Sequence, residues 1–114
     1  MNEKNYMNDE LNITKKIGID ILQFNILKNI ITQYKILKPN LKASIFDSRA
    51  RGCFKKFSDI DLLIEVDPPF SQLEKFHLKN DFEESNLVYK VDLVFKEEIL
   101  ETYKDSILEI LIDI

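Results

Sequence analysis

The sequence predicts a single α/β (α+β) domain: a small mixed β-sheet of about three main strands packed with four or five helices. Three observations lead there. Apolar runs of strand length stand at 41–46, 60–66 and 89–95. A stripe at three- and four-residue intervals marks a helix ahead of the first run, and a capping-box pattern opens another between the second and third. The 114 residues suffice for one core and are too few for two, and 45% hydrophobic content is ordinary for such a chain.

Residues 1–12 are rich in Asn and charge with almost no apolar period, so they read as a mobile N-terminal arm, leaving 13–114 as the folded domain. Ile21, Leu22, Ile26, Leu27, Ile30, Ile31 and Tyr34 then form one buried helical stripe, which Pro39-Asn40 ends. The strand at 41–46 leads into a loop over 47–58 that holds both arginines of the chain, two lysines and one glycine. The second strand, 60–66, stops at Pro68-Pro69, since proline supplies no ladder donor. Ser71 and Glu74 have capping-box spacing, and the helix they open runs to about Glu84 with Leu73, Phe76 and His77 on its inner face. After the third strand, the chain from Glu97 is helical in period through Ile99, Leu100, Tyr103, Ile107, Leu108 and Leu111; a second capping spacing at Ser106 and Glu109 divides it into two short helices. The Phe-rich stretches read as core.

Charge narrows the function. A net charge of −4 and a pI near 5.0 disfavour stable DNA or RNA binding, which needs clustered Lys and Arg. The polar start does not read as a signal peptide, and no run approaches the roughly 18 apolar residues of a membrane span. A lone cysteine, Cys53, fits a reducing, cytoplasmic setting and lacks a local base that would make it a nucleophile. With His77 as the single histidine, there is no zinc-type cluster.

The chemistry-bearing pattern is Ser48 followed, with ten residues between, by Asp59-Ile60-Asp61. Alternation along a strand puts Asp59 and Asp61 on one face while Ile60, Leu62 and Ile64 face the core. Their α-carbons then lie about 6.6 Å apart, a spacing that suits a two-metal site. Mg²⁺ fits a sparse acidic ledge, because it keeps several waters and takes one or two protein carboxylates together with substrate phosphates. Asp92 interrupts the third apolar run; with Val91, Leu93 and Phe95 inward it joins the other two acids if that strand pairs beside the second. The 47–58 loop brings Ser48, Arg49, Arg51, Lys55 and Lys56 to the same junction, where a hydroxyl, backbone N–H groups and guanidinium forks suit phosphate.

Ile45-Phe46-Asp47-Ser48-Arg49-Ala50-Arg51-Gly52, with Ser58-Asp59-Ile60-Asp61-Leu62-Leu63-Ile64 and Val91-Asp92-Leu93-Val94, resembles the minimal nucleotidyltransferase family of the DNA polymerase β superfamily, from about Leu22 to the C-terminus. The resemblance implies a nucleotidyltransferase fold, two Mg²⁺ ions on Asp59, Asp61 and Asp92, and ATP as substrate. It further implies nucleotide contacts from Ser48, Arg49, Asp47 and Arg51, with Asp92 beside the attacking hydroxyl, as its general base. Many such proteins are antitoxins of HEPN/MNT pairs that transfer AMP to a tyrosine of a HEPN-domain toxin, working in a homo- or hetero-oligomer. A small-molecule acceptor is disfavoured because the chain looks too short to enclose one. Asp47 stands where the family has Gly, which adds a Cβ and a negative charge beside the phosphates. That departure implies a second reading: a catalytically impaired antitoxin of the same fold that acts by binding its partner.

Overall fold

The computed structural model describes the backbone of residues 3–114 and the side chains of residues 10–114. Helix α1 (Glu3–Ile17) occupies most of the stretch expected as an arm; Met1 and Asn2 lie outside the described residues. Among its described side chains, Ile13, Thr14 and Ile17 face inward, and the Thr14 hydroxyl donates to the Leu11 carbonyl at 2.9 Å. Gly18, at φ 70, ends α1, with its own N–H and that of Ile19 both reaching the Thr14 carbonyl.

Helix α2 (Ile21–Leu37) begins at Asp20, whose carboxylate accepts from the Gln23 N–H at 3.0 Å. It buries Phe24, Leu27, Ile30 and Ile31, while Leu22, expected on that stripe, is exposed. Strand β1 (Lys42–Phe46) leads through Asp47 into α3 (Ser48–Arg51), a single turn closed by Gly52 at φ 78. Strand β2 (Ile60–Glu65) has Ile60, Leu62 and Ile64 fully buried, as the alternation requires.

Helix α4 (Gln72–Glu83) has the full capping box, with Glu74 N–H to Ser71 Oγ at 3.1 Å and Ser71 N–H to Glu74 Oε1 at 2.9 Å. Its inner face is turned from the expected one. Lys75, Leu78 and Phe82 are buried, whereas Leu73, Phe76 and His77 are exposed. The lysine hides the true stripe in the sequence: its stem packs inward and its ammonium reaches Glu97 and Glu98 at 2.8 and 2.7 Å. Tyr34 on α2 donates to Asp81 on α4 at 2.6 Å, joining the two helices.

Strand β3 (Val91–Phe95) starts two residues later than the alternation suggested. A 3₁₀ turn (Lys96–Glu98) and α5 (Glu101–Leu108) follow. The helical period expected to run through Leu111 then gives way to β4 (Ile112–Asp113), which pairs antiparallel with β1. Ser44 donates to Asp113 at 2.7 Å across that pair, a long-range bond invisible to local periodicity. The sheet order is β3-β2-β1-β4; β1 is antiparallel to β2, and β2 is parallel to β3. Among the described residues no helix is long and apolar enough to cross a membrane.

Candidate active site

The register of the three central strands makes the site. Phe46 pairs with Asp61, and Asp61 pairs with Asp92, so one row crosses β1, β2 and β3. Directly paired residues point to the same side of a sheet. Asp61 and Asp92 therefore share one face, and the charges of Asp92 and Asp59 both act on Asp61; Asp59 and Asp61 are half-buried and Asp92 is exposed. Asp47, exposed, leaves β1 immediately after Phe46 and adds a fourth carboxylate at the end of the row.

Electrostatics report the crowding. Burial, followed by the charges of Asp47, Asp92 and Asp59, pushes the Asp61 carboxyl up to about 6, with Arg49 pulling the other way. Hard oxygen donors bearing mutually repelling charge suit a divalent cation that keeps part of its water shell. Among the described residues no three His, Cys, Asp or Glu side chains are already gathered as a metal cage. The oxygen-donor chemistry of these carboxylates fits Mg²⁺.

Asp47 holds a backbone conformation that belongs to glycine. Its φ of 61 and ψ of −136 lie outside the left-handed helical region that Asp tolerates, in a region where a Cβ is crowded. Its carboxylate makes no capping bond to α3, so no local hydrogen bond offsets the strain. The turn it forms is what brings Ser48, at the start of α3, to the row.

Arg49, expected as a phosphate contact, is placed inside the fold. Its side chain is fully buried, and its guanidinium donates five hydrogen bonds to backbone carbonyls. Nη1 reaches Ile17 at 2.8 Å and Gly18 at 3.2 Å; Nη2 reaches Ser58 at 2.7 Å and Lys56 at 3.3 Å; Nε also reaches Ser58, at 3.1 Å. The rings of Phe54 and Tyr89 lie 5.1 and 4.7 Å away. Burial lowers its pKa, while Tyr89, Asp59 and Asp61 act to hold the proton. The cation thus fixes the end of α1, the 53–58 loop and the approach to β2 in one joint, and its planar fork matches the four carbonyls. Gly18 belongs to the same joint: a Cβ there would stand 2.0 Å from the Phe54 ring. Sequence reasoning missed this use of Gly18, although a glycine at the end of a Lys15-Lys16 turn is a helix-stop signal.

Arg51 remains exposed beside α5, 3.4 Å from the Ser106 carbonyl and 3.7 Å from Glu109. Lys55 and Lys56 project from a tight turn in which Ser58 accepts from the Lys55 N–H at 2.8 Å. Cys53, Phe57 and His77 are exposed, so the expectation that every phenylalanine-rich stretch is core fails at Phe57 and Phe76.

The chain that carries this aspartate row belongs to the nucleotidyltransferase family: the family model described as "Nucleotidyltransferase domain" matches residues 25–114. The chain is 35% identical over 92 residues to the Haemophilus influenzae protein named probable protein adenylyltransferase MntA, covering 81% of this chain and 78% of that one. It is 42% identical over 91 residues to the putative protein adenylyltransferase MJ1217 of Methanocaldococcus jannaschii, covering 75% and 92%. A chain from a crystal structure of a toxin-antitoxin with AMP-PNP shares the fold, with a TM-score of 0.58, 21% identity, and coverage of 75% of this chain and 69% of that chain.

Proposed function

We propose that this protein is a Mg²⁺-dependent nucleotidyltransferase that moves AMP from ATP to a hydroxyl of a partner protein, acting as the antitoxin of a HEPN-type toxin. The register that sets Asp61 between Phe46 and Asp92 carries this reading, because it puts acids from two strands on one ledge. In the reaction the acceptor oxygen forms a bond to the α-phosphorus, the bond from that phosphorus to the bridging oxygen of the β-phosphate breaks, and pyrophosphate leaves. Asp92, the exposed acid, takes the hydroxyl proton. Asp59, Asp61 and Asp92 would hold the two Mg²⁺ ions, which when bound supply charge neutralisation for the phosphates. The Ser48 hydroxyl and the turn before α3 orient the triphosphate, with Arg51 as the nearby exposed arginine. Arg49 acts through the joint that positions this turn. The relatives named as protein adenylyltransferases support a protein acceptor. The test is label transfer from [α-³²P]ATP to the co-encoded partner: labelling that needs Mg²⁺ and is lost in Asp61→Asn is expected, and an unlabelled partner counts against transfer.

Asp47 favours a second reading, an antitoxin of the same fold that neutralises its partner by occupancy. Its carboxylate is the strongest charge acting on Asp61, and it would oppose a triphosphate in the same place. Under that reading Asp59→Asn and Asp61→Asn still protect cells from the toxin; properly folded variants that no longer protect would exclude it.

A further inference from the structure

A cleft of about 750 Å³ lies between α4 and the outer edge of β3, with Phe76, Lys79, Leu87, Val88, Leu93 and Asp92 in its walls. Its volume falls in the range of about 300–1,000 Å³ usual for ligand sites. Three of its properties point the same way. Phe76 and Val88 are 61% and 65% exposed, so apolar surface faces solvent there. β3 ends the sheet order, which leaves one row of its backbone N–H and C=O groups without a ladder partner among the described residues. Asp92 belongs both to this edge strand and to the carboxylate row, so the cleft is continuous with the candidate active site.

We infer that the β3 edge and this cleft dock an extended segment of the acceptor protein as an added strand, with the hydroxyl-bearing residue opposite Asp92 and apolar residues on both sides of it. The inference rests on the transfer reading above and adds a specificity rule to it. Residues paired directly across a ladder point to the same side. A tyrosine opposite Asp92 therefore extends its hydroxyl over the face that holds Asp61. Its two neighbours point to the other side, where Val91 and Leu93 lie beside Phe76, Leu87 and Val88. Lys90, two residues before Asp92, carries no ion pair among the described side chains and shares the Asp92 face, so an acid two positions from the hydroxyl residue complements it.

A second copy of this chain fits the edge poorly in the two antiparallel registers centred on Asp92 and on Leu93. Antiparallel self-pairing about Asp92 sets two Asp92 carboxylates opposite each other, and self-pairing about Leu93 sets Lys90 against Lys96; like charges directly opposed destabilise a ladder. A polypeptide segment satisfies the free row of backbone groups, which is how edge strands capture peptides.

Two sets of synthetic peptides test the rule, each with one tyrosine and equal composition, the first with apolar residues adjacent to the tyrosine and the second with them two positions away. With Mg·[α-³²P]ATP, the first set is expected to be labelled at least tenfold faster. That preference is expected to disappear in Phe76→Glu and Val88→Glu, whose exposed sites leave the fold intact. Equal labelling of the sets, or an undiminished preference in both variants, overturns the docking rule. If neither set is labelled, the transfer reading fails on these acceptors and amide hydrogen exchange decides docking alone. Slower exchange in β3 with the first set at saturation upholds it, and unchanged exchange overturns it.

Discussion

Replacing Asp47 with glycine separates what this chain inherits from what its own substitution does. The residue sits at φ 61 and ψ −136 without a capping bond. Backbone strain of this kind costs about 1–3 kcal/mol, and the extra chain entropy of glycine returns about 0.5–1 kcal/mol of that. Asp47→Gly should therefore stabilise the fold by about 1 kcal/mol, which for a domain of this size raises Tm by roughly 3–6 °C. Charge gives a second, independent effect. A unit charge about 4 Å from a phosphate oxygen costs about 1 kcal/mol in water and about 4 at an effective dielectric of 20. Because Asp47 is exposed, the lower figure is the better guide, and Mg·ATP affinity should rise at least about fivefold. Thermal melting and calorimetric titration read the two effects. Asp47→Asn divides them, since it keeps the Cβ and removes the charge: affinity should rise with little gain in Tm. A glycine variant that melts at or below the wild-type temperature refutes the strain argument, and equal or weaker Mg·ATP binding refutes the charge argument.

Three further outcomes follow from the same geometry. Asp61 is pushed up to about 6 in the fold from a value near 4 in the unfolded chain, so the folded state holds more protons between those pH values and loses stability as pH rises through them. In metal-free buffer, Asp61→Asn should raise Tm at pH 7.5 by the equivalent of about 1 kcal/mol, after allowance for solvent screening, and leave it unchanged at pH 4; an equal shift at both pH values contradicts this. Arg49→Met removes the donor for four carbonyls and should destabilise by about 3–5 kcal/mol, with Arg49→Lys recovering only part because it lacks the planar fork. If chemical denaturation finds stability unaltered and only Mg·ATP binding weakened, Arg49 is a phosphate ligand after all. Gly18→Ala puts a Cβ 2.0 Å from the Phe54 ring at a positive φ and should cost at least about 2 kcal/mol in the same assay; a loss under about 0.5 kcal/mol would falsify the packing argument.

The central strands and their acids were legible because period-two alternation is local: the burial of Ile60, Leu62 and Ile64 already commits Asp61 to the opposite side. Asp92 was legible for the same reason, as a charge inside an apolar run. The parts that escaped depend on distant partners. β4 is two residues long and exists through its pairing with β1, and Lys75 is buried because Glu97 and Glu98 reach it from beyond β3. Arg49 looks like any loop arginine until Ile17 and Gly18 approach it from another helix. At Asp47 the sequence displays the substitution but not the backbone angles: Asp enters the left-handed helical region more readily than most residues, and it is the ψ of −136 in the turn from β1 into α3 that makes the position a glycine site.

Intact-mass measurement of the partner, co-expressed with the wild-type chain or with Asp59→Asn, tests the transfer reading most directly. With the wild type the partner should gain the mass of one or more AMP groups, and with the variant none. A partner of unchanged mass in both, still neutralised in the cell, would contradict catalysis and leave occupancy as the function of this nucleotidyltransferase fold.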